Sequence, residues 1–294
     1  MSCEKILIMG ESGTGKSTSI RNCNPATTAI VNPVGKPLPF RGKFEMLNAV
    51  TDASKIVRWM KDQVAAGKKM LIVDDFQYIL SIPYMNRIKE AGWDKWNDFG
   101  SNYFDIIDVC AVLPDDVTVY YMTHTETLDD GITTIKLIGK MLREKITIEG
   151  LFTTVLRTQV IDGKYYFLTQ NSGKDTVKSP IGMFGAYAID NDLNYVDEKI
   201  RNYYEINGCK SDAEIAKADE AAEQPEIEKA GNGRTRRTRR TEEEKPVEDV
   251  NPTAESPVQN ASTESSSATV QTERKRRTRK QRNEYPVDDS DLPF

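Results

Sequence analysis

The sequence predicts an α/β fold in which a mostly parallel sheet carries helices on both faces. Short apolar runs alternate with segments of helical spacing, which is typical of buried parallel strands joined by helices. Later in the chain, Asp162-Gly163 separates two β-type segments and predicts a β-hairpin. From Cys209 onwards the only aromatic residues are Tyr285 and Phe294, so too little apolar surface remains to offset the entropy of ordering. We therefore expect a folded domain over residues 1–208 and a disordered tail after it.

The predicted elements follow from apolar runs and from residues that stop helices. Four runs are predicted as parallel strands: Lys5–Met9, Thr28–Val31, Met70–Val73 and Val117–Met122. Helices are predicted from Lys16 to about Cys23, over Asp52–Ala66, in segments up to about Val112, and over Leu193–Ile206 with Asp192 as N-cap. The hairpin strands are Thr153–Ile161 and Lys164–Thr169, and the prolines of Pro33–Arg41 predict a loop. Six residues near helical period are predicted as core: Trp93, Trp96, Phe99, Tyr103, Phe104 and Ile107.

The composition favours a cytoplasmic protein. The four cysteines show neither CxxC spacing nor clustering, which indicates reduced thiols. The chain enters a predicted strand almost at once, without a signal peptide, and has no apolar run of the ~20 residues that a membrane span requires. The net charge of −5 conceals blocks of one sign in the tail and does not by itself identify a partner.

A phosphate-binding loop is the strongest motif in the chain. The residues Gly10-Glu11-Ser12-Gly13-Thr14-Gly15-Lys16-Ser17 fit G-x-x-x-x-G-K-[ST] at every fixed position, between a predicted strand and a predicted helix. Glycines let main-chain amides surround phosphates, and a helix start favours the same anions. We expect Gly10 to Thr18 to bind ATP, with Lys16 reaching the β- and γ-phosphates and Ser17 ligating Mg²⁺.

Polar residues at the ends of two further strands complete the predicted site. Asp74 ends an apolar strand and is expected to hold Mg²⁺ through water. Asp75 either orients or deprotonates the attacking water, or caps the next helix. The only histidine, His124, follows a strand expected beside the P-loop strand, so Thr123 or His124 could sense the γ-phosphate. The alternative for Thr123 and His124 is a polar strand end that faces water.

Several stretches together resemble phage-encoded RecA-like P-loop ATPases, the small recombinases of the Sak type that are often labelled phage AAA-family ATPases. The stretches are GESGTGKST at 10–18, GKPLPFRG at 35–42, MLIVDD at 70–75, KMLREKITIEGLFTTVLRT at 140–158 and KSPIGMF at 178–184. The resemblance covers roughly residues 3–208. It implies a RecA-like core, ATP hydrolysis, self-assembly into a homo-oligomer, and annealing or strand exchange on single-stranded DNA.

The same resemblance assigns roles to individual residues and leaves one role open. Lys16 and Ser17 take the nucleotide roles and Asp74 takes the magnesium role. The catalytic Glu of RecA-type enzymes would fall near Asn32-Pro33, where no carboxylate stands, so Asp75 becomes the substitute. A neighbouring subunit usually contributes a cation, and Lys174 and Lys178 are the candidates unless they are ordinary surface lysines. Loops 125–139 and 171–180 would face DNA.

The tail carries two basic blocks and an acidic tip. The blocks Arg234–Arg240 and Arg274–Arg282 lie within a linker over residues 209–287 and favour phosphate contacts, although a linker without a partner is the alternative. The tip, residues 288–294, ends in Leu-Pro-Phe and resembles the tip of bacterial single-strand DNA-binding proteins. Phe294 would then dock on replication or repair proteins, or the tip would fold back on the basic blocks. A nucleotide-gated adaptor or loader that recruits such proteins is therefore the alternative to a recombination ATPase; a P-loop kinase is disfavoured.

Overall fold

A computed structural model describes residues 3–92, 94–139, 142–143 and 145–222. Within these ranges the chain forms one mixed sheet of nine strands. The strands are β1 (Glu4–Gly10), β2 (Thr28–Asn32), β3 (Glu45–Asn48), β4 (Met70–Val73), β5 (Thr118–Thr127), β6 (Thr133–Ile135), β7 (Thr154–Ile161), β8 (Lys164–Leu168) and β9 (Ala188–Asp190). The fold is thus α/β, as predicted.

Most of the sheet is parallel. The strand order is β3-β2-β4-β5-β1-β7-β8-β9, and β6 pairs with the end of β5. The six strands from β3 to β7 run parallel to one another. The pairs β7–β8, β8–β9 and β5–β6 are antiparallel. The carboxyl ends of β1, β4 and β5 therefore meet at one edge of the sheet, where open α/β sheets bind their ligands.

Helices cover both faces of the sheet. The α-helices are α1 (Ala53–Ala65), α2 (Tyr78–Asn86), α3 (Asp94–Asp108), α4 (Leu193–Tyr203) and α5 (Asp212–Ala221). Short 3-10 helices span Ser17–Asn22, Val109–Ala111 and Ile148–Leu151. None of the helices in the described part of the chain is long and apolar enough to cross a membrane.

The two-residue period of β1 divides the core into two clusters. Leu7 and Met9 point to one face and pack in a cluster with α1 and α3 residues such as Ile56. Ile6 and Ile8 point to the other face and pack with α4 residues. Because both faces are buried, the strand is apolar at almost every position.

Several local predictions are confirmed because short-range chemistry determines them. β4 has the predicted bounds, and α1 lies within the predicted Asp52–Ala66, with Asp52 as its N-cap accepting a hydrogen bond from the Lys55 amide. Asp162 and Gly163 both have positive φ values, +50° and +78°, as a type I′ hairpin turn requires. Asp192 caps α4 as expected.

Other predictions need correction. The segment after the P-loop is a six-residue 3-10 helix, about two turns long, and Asn24-Pro25 stops it there. β5 continues through His124 to Thr127, because β6 supplies hydrogen-bond partners for its last residues. The short strand β3 was not predicted. Of the predicted core aromatics, Phe104 is 37% exposed.

The folded part extends beyond the predicted boundary at residue 208. Helix α5 lies within the segment expected to be disordered, and a capping box between Ser211 and Glu214 starts it. Its Asp219 accepts hydrogen bonds from Lys199 and Tyr195 of α4. Trp93, the two basic blocks and the tip with Phe294 lie outside the described residues, so the expectations about them stay predictions.

Candidate functional site

The loop after β1 has the backbone that its glycines permit. Gly13 has a φ of +80° and Gly15 a φ of +100°, values that side chains with a Cβ rarely adopt. A Cβ at Gly15 would also lie 2.8 Å from Cδ1 of Tyr165 and 3.1 Å from Oδ1 of Asn191. The loop backbone is therefore left-handed at Gly13 and Gly15, and it is closely packed at Gly15. Because neither glycine has a side chain, the main-chain amides of the loop are left uncovered there.

Lys16 is buried beneath this loop with its ammonium group turned into it. The side chain is only 5% exposed, and Nζ donates to the carbonyl oxygens of Gly10 and Glu11 at 2.8 Å each. Burial lowers the pKa of Lys16 to about 8, and the nearby charges of Asp75 and Asp74 limit the fall. The ammonium group is thus still mostly charged at neutral pH, and it is held where a phosphate-binding loop needs a cation.

Ser17 and Asp74 come together at the junction of the P-loop and β4. The Ser17 hydroxyl donates to Oδ1 of Asp74 at 3.0 Å, although 57 residues separate the two in sequence. Burial, and then the charge of Asp75, raises the pKa of Asp74 to about 6. A hydroxyl and a buried carboxylate beside a phosphate cradle are the donor set that a P-loop Mg²⁺ uses, so these residues fit the predicted metal.

Asp75 forms the centre of a second polar cluster. Its backbone is left-handed, with a φ of +62°, and its carboxylate contacts His124 Nε2 at 3.2 Å and the Lys36 ammonium. Burial alone would raise the pKa of Asp75, but hydrogen bonds from His124 and Lys36 outweigh it and bring the pKa to about 2. The Asp75 side chain is thus engaged with His124 and Lys36, and it does not cap the next helix, because Gln77 occupies the N-cap position of α2.

His124 reaches the site because β5 lies beside the P-loop strand, as predicted. Gly10 pairs with His124 and Met9 pairs with Thr123 in the parallel register of β1 and β5. Thr123 is fully buried, whereas the His124 side chain retains 18% exposure. Of the two candidates for a γ-phosphate sensor, His124 is therefore the one that lines the open cavity described next.

An open cavity of about 380 Å³ joins these groups. P-loop residues line one side of it, among them Ser12, Lys16 and Thr18, and Lys36, Asp75, His124 and Tyr165 line the rest. Its volume is in the range of small-molecule sites. Glu11 and Thr14 do not line it, and the Thr14 hydroxyl instead lies 2.6 Å from the hydroxyl of Thr158 on β7.

Four cavity residues were not predicted from the sequence, namely Lys36, Pro37, Pro39 and Tyr165. Lys36 comes from the loop between β2 and β3, and Tyr165 comes from β8 beyond the hairpin turn. The only sequence signal for Lys36 was its place in the GKPLPFRG stretch, and Tyr165 gave none.

Lys174 and Lys178 are not brought into the cavity of their own chain. Lys178 is exposed and bonds to Val155 of β7 through its main chain, at 2.8 and 3.0 Å. The expectation that one of these lysines acts on a neighbouring subunit stays a prediction.

Comparison with protein-family models and with curated proteins finds no match. What the site does is therefore argued from its geometry and from the motif.

Proposed function

We propose that the chain binds and hydrolyses ATP with Mg²⁺ in a RecA-like core and acts on single-stranded DNA during phage recombination, in annealing or strand exchange. One observation carries the nucleotide part. Lys16, the Ser17–Asp74 pair and the Asp75–His124 pair converge on one cavity from three separate stretches of chain. In a phosphoryl-transfer site the lysine binds phosphate, the hydroxyl and carboxylate hold Mg²⁺, and the second polar pair orients water. A glycine turn that arose by chance would not need the ends of β4 and β5 beside it.

Ser17 and Asp74 would hold Mg²⁺, which would neutralise charge on the phosphate oxygens. Lys16 contributes the second positive charge and currently contacts the carbonyl oxygens of the loop. A phosphate oxygen would accept the same hydrogen bonds with a stronger, charge-assisted interaction. Because burial lowers the pKa of Lys16, binding an anion would restore it towards the ordinary value.

Asp75 and His124 are suited to orienting the water that attacks the γ-phosphate. A carboxylate with a pKa of about 2 is a weak proton acceptor at neutral pH, because general bases work best when their pKa lies near the working pH. Asp75 is accordingly proposed as the anchor that holds His124 and Lys36, and not as the general base.

The DNA part of the proposal rests mainly on the resemblance to RecA-like recombinases. A homo-oligomer with Lys178 or Lys174 reaching a neighbour's nucleotide belongs to the same proposal, as do loops 125–139 and 171–180 facing DNA.

The decisive experiment measures Mg²⁺-ATP binding and ATP turnover, each with and without oligo-dT. A Lys16→Ala variant should lose nucleotide binding, whereas Lys55→Ala, which removes an exposed lysine from α1, should not. Both variants should first be shown to unfold at a temperature close to that of the parent chain. Tight Mg²⁺-ATP binding by Lys16→Ala would refute the site, and turnover that oligo-dT leaves unchanged would count against the DNA part.

The alternative, a nucleotide-gated adaptor or loader, is favoured by the Leu-Pro-Phe terminus, which lies outside the described residues. Deleting residues 288–294 separates the two proposals. The adaptor predicts that the deletion abolishes binding of replication or repair proteins while ATP turnover and annealing persist. A recombination ATPase that recruits no such protein predicts that the parent chain and the deletion variant bind these proteins equally weakly.

A further inference from the structure

The loop between β2 and β3 combines cationic with aromatic side chains, and its aromatic rings pack partly against the core cluster on the α4 face of the sheet. Residues 36–44, called the 36–44 loop below, read Lys-Pro-Leu-Pro-Phe-Arg-Gly-Lys-Phe. Three of the nine side chains are cationic, two are aromatic and none is acidic. Lys36 is engaged with Asp75, which leaves Arg41 and Lys43 to face solvent.

Arg41 and Lys43 have no acidic partner among the residues that the structure describes. Both side chains are exposed, and neither forms an ion pair within the described residues. Along the chain the two cations lie between the two aromatic residues of the loop. The charge of the loop is therefore complementary to a polyanion.

The aromatic rings lie beside those cations and are only partly covered. Phe40 and Phe44 pack edge to face with their centroids 6.1 Å apart, and both keep part of their surface in solvent. Gly42 lies between them in sequence, and a Cβ there would stand 2.7 Å from Cε2 of Phe44 and 3.4 Å from Cε2 of Phe40. The absence of a side chain at Gly42 thus leaves the approach to both rings open.

Most of these groups border one open depression of about 600 Å³, and the Phe44 ring, which packs against Phe40, lies outside its lining. Phe40, Arg41, Lys43 and Met46 line it, and Pro37 lines both this depression and the nucleotide cavity. A ligand in the depression would therefore contact the same loop that carries Lys36 to Asp75.

We propose that the 36–44 loop is a binding surface for single-stranded DNA, in which Arg41 and Lys43 contact phosphates and Phe40 and Phe44 contact bases. Basic side chains interleaved with aromatic rings are the chemistry by which proteins hold single strands without reading their sequence. Duplex DNA would offer the phosphates but not the base faces. The inference rests on the proposed function, and it adds a DNA contact to those proposed for loops 125–139 and 171–180. Movement of Pro37 and Lys36 would then link DNA binding to the nucleotide cavity.

The test uses the full chain, so that the tail contributes equally to every variant. The affinity for a fluorescent oligo-dT is measured by anisotropy over a series of salt concentrations. Arg41→Gln/Lys43→Gln should lower the slope of log affinity against log salt by about 1.4, since each phosphate contact to a single strand contributes about 0.7. Arg58→Gln/Lys61→Gln, which removes the same charge from α1, should leave the slope unchanged.

The aromatic contribution is tested in the same assay. Phe40→Leu should weaken oligo-dT binding by about fivefold or more, as expected for a lost stacking contact, whereas Phe104→Leu on α3 should not. Gly42→Val keeps both rings and both cations but covers the approach to the rings, and it should weaken binding similarly. The unfolding temperature of each variant shows whether the loop change has damaged the fold.

Binding of a fluorescent ATP analogue, measured on the same samples, separates this inference from the proposed function. Oligo-dT affinity that none of the loop variants changes would overturn the DNA surface and leave the ATPase standing. A change of oligomeric state with unaltered oligo-dT affinity would overturn it in favour of a subunit contact. A parent chain that binds oligo-dT through this loop but binds no ATP analogue would refute the proposed ATPase and leave the surface standing.

Discussion

Two neighbouring carboxyl groups, Asp74 and Asp75, are predicted to have opposite effects on the stability of the fold. Replacing each by Asn keeps the size of the side chain and removes its charge. Asn also tolerates the left-handed backbone of residue 75, so the Asp75→Asn variant adds no strain there. In Asp74→Asn the amide oxygen can still accept the hydrogen bond from Ser17.

The magnitudes follow from the two pKa values. Burial, with help from the charge of Asp75, raises the pKa of Asp74 from 3.8 to about 6, so its ionised form is disfavoured in the folded protein. At about 1.4 kcal/mol for each pKa unit, Asp74→Asn should stabilise the protein by about 3 kcal/mol at pH 7. Despite its burial, hydrogen bonds from His124 and Lys36 bring the pKa of Asp75 to about 2. Asp75→Asn should therefore cost about 2 kcal/mol at the same pH.

The pH dependence distinguishes these electrostatic effects from a general change in packing. The folded-state pKa of Asp74 is raised, so the destabilisation caused by its charge is lost gradually as the pH falls from 6 to 3.8. The gain in stability of Asp74→Asn should therefore shrink to about half at pH 5. The folded-state pKa of Asp75 is lowered, so its contribution is complete above pH 4 and the cost of Asp75→Asn should be equal at pH 5 and pH 7. Urea unfolding of the three proteins at both pH values measures this. Destabilisation by Asp74→Asn at pH 7, or a gain that does not change with pH, would refute the reasoning.

Three further predictions concern the P-loop and the helix caps. Because burial lowers the pKa of Lys16 to about 8, ATP affinity measured by calorimetry should fall above pH 8, by up to about tenfold for each pH unit; a constant affinity to pH 9.5 would contradict this. Gly15→Ala should lower the unfolding temperature more than Gly13→Ala, because both have positive φ values but only at Gly15 would a Cβ also meet Tyr165. Asp192→Ala should cost about 1 kcal/mol in urea unfolding, since its carboxylate accepts from the second and third amides of α4; no loss would show that this cap is not needed.

The predictions that succeeded depend on residues close together in sequence. The P-loop motif, the continuous apolar run of β4 and the Asp162-Gly163 turn each determine their own backbone, so the sequence alone was sufficient. The pairing of β5 with β1 was also predicted, because the P-loop motif indicated the order of the central strands.

The predictions that failed depend on contacts between distant parts of the chain. β3 is half exposed and reads Glu-Met-Leu-Asn, so it lacks the pattern of a buried strand and exists because it pairs with β2. The exposed part of α5 is polar, and its single buried residue, Ile215, gave no apolar periodicity to detect. Lys36 and Tyr165 reach the cavity across loops whose course no local propensity determines.

The contacts of Asp75 show how segments that are distant in sequence are joined at the site. Its left-handed backbone is held where the Phe76 amide donates to the Met122 carbonyl oxygen of β5, 2.7 Å away, so β5 fixes the turn that follows β4. The same strand supplies His124, and the β2–β3 loop supplies Lys36, so three segments are tied to one carboxylate. A non-glycine residue at positive φ has an energetic cost, and the contacts of Asp75 with His124 and Lys36 offset it. Displacing Lys36 from Asp75 would thus loosen the contact between the 36–44 loop and the cavity. Through this contact, binding in the proposed nucleotide cavity would be coupled to binding at the surface of that loop.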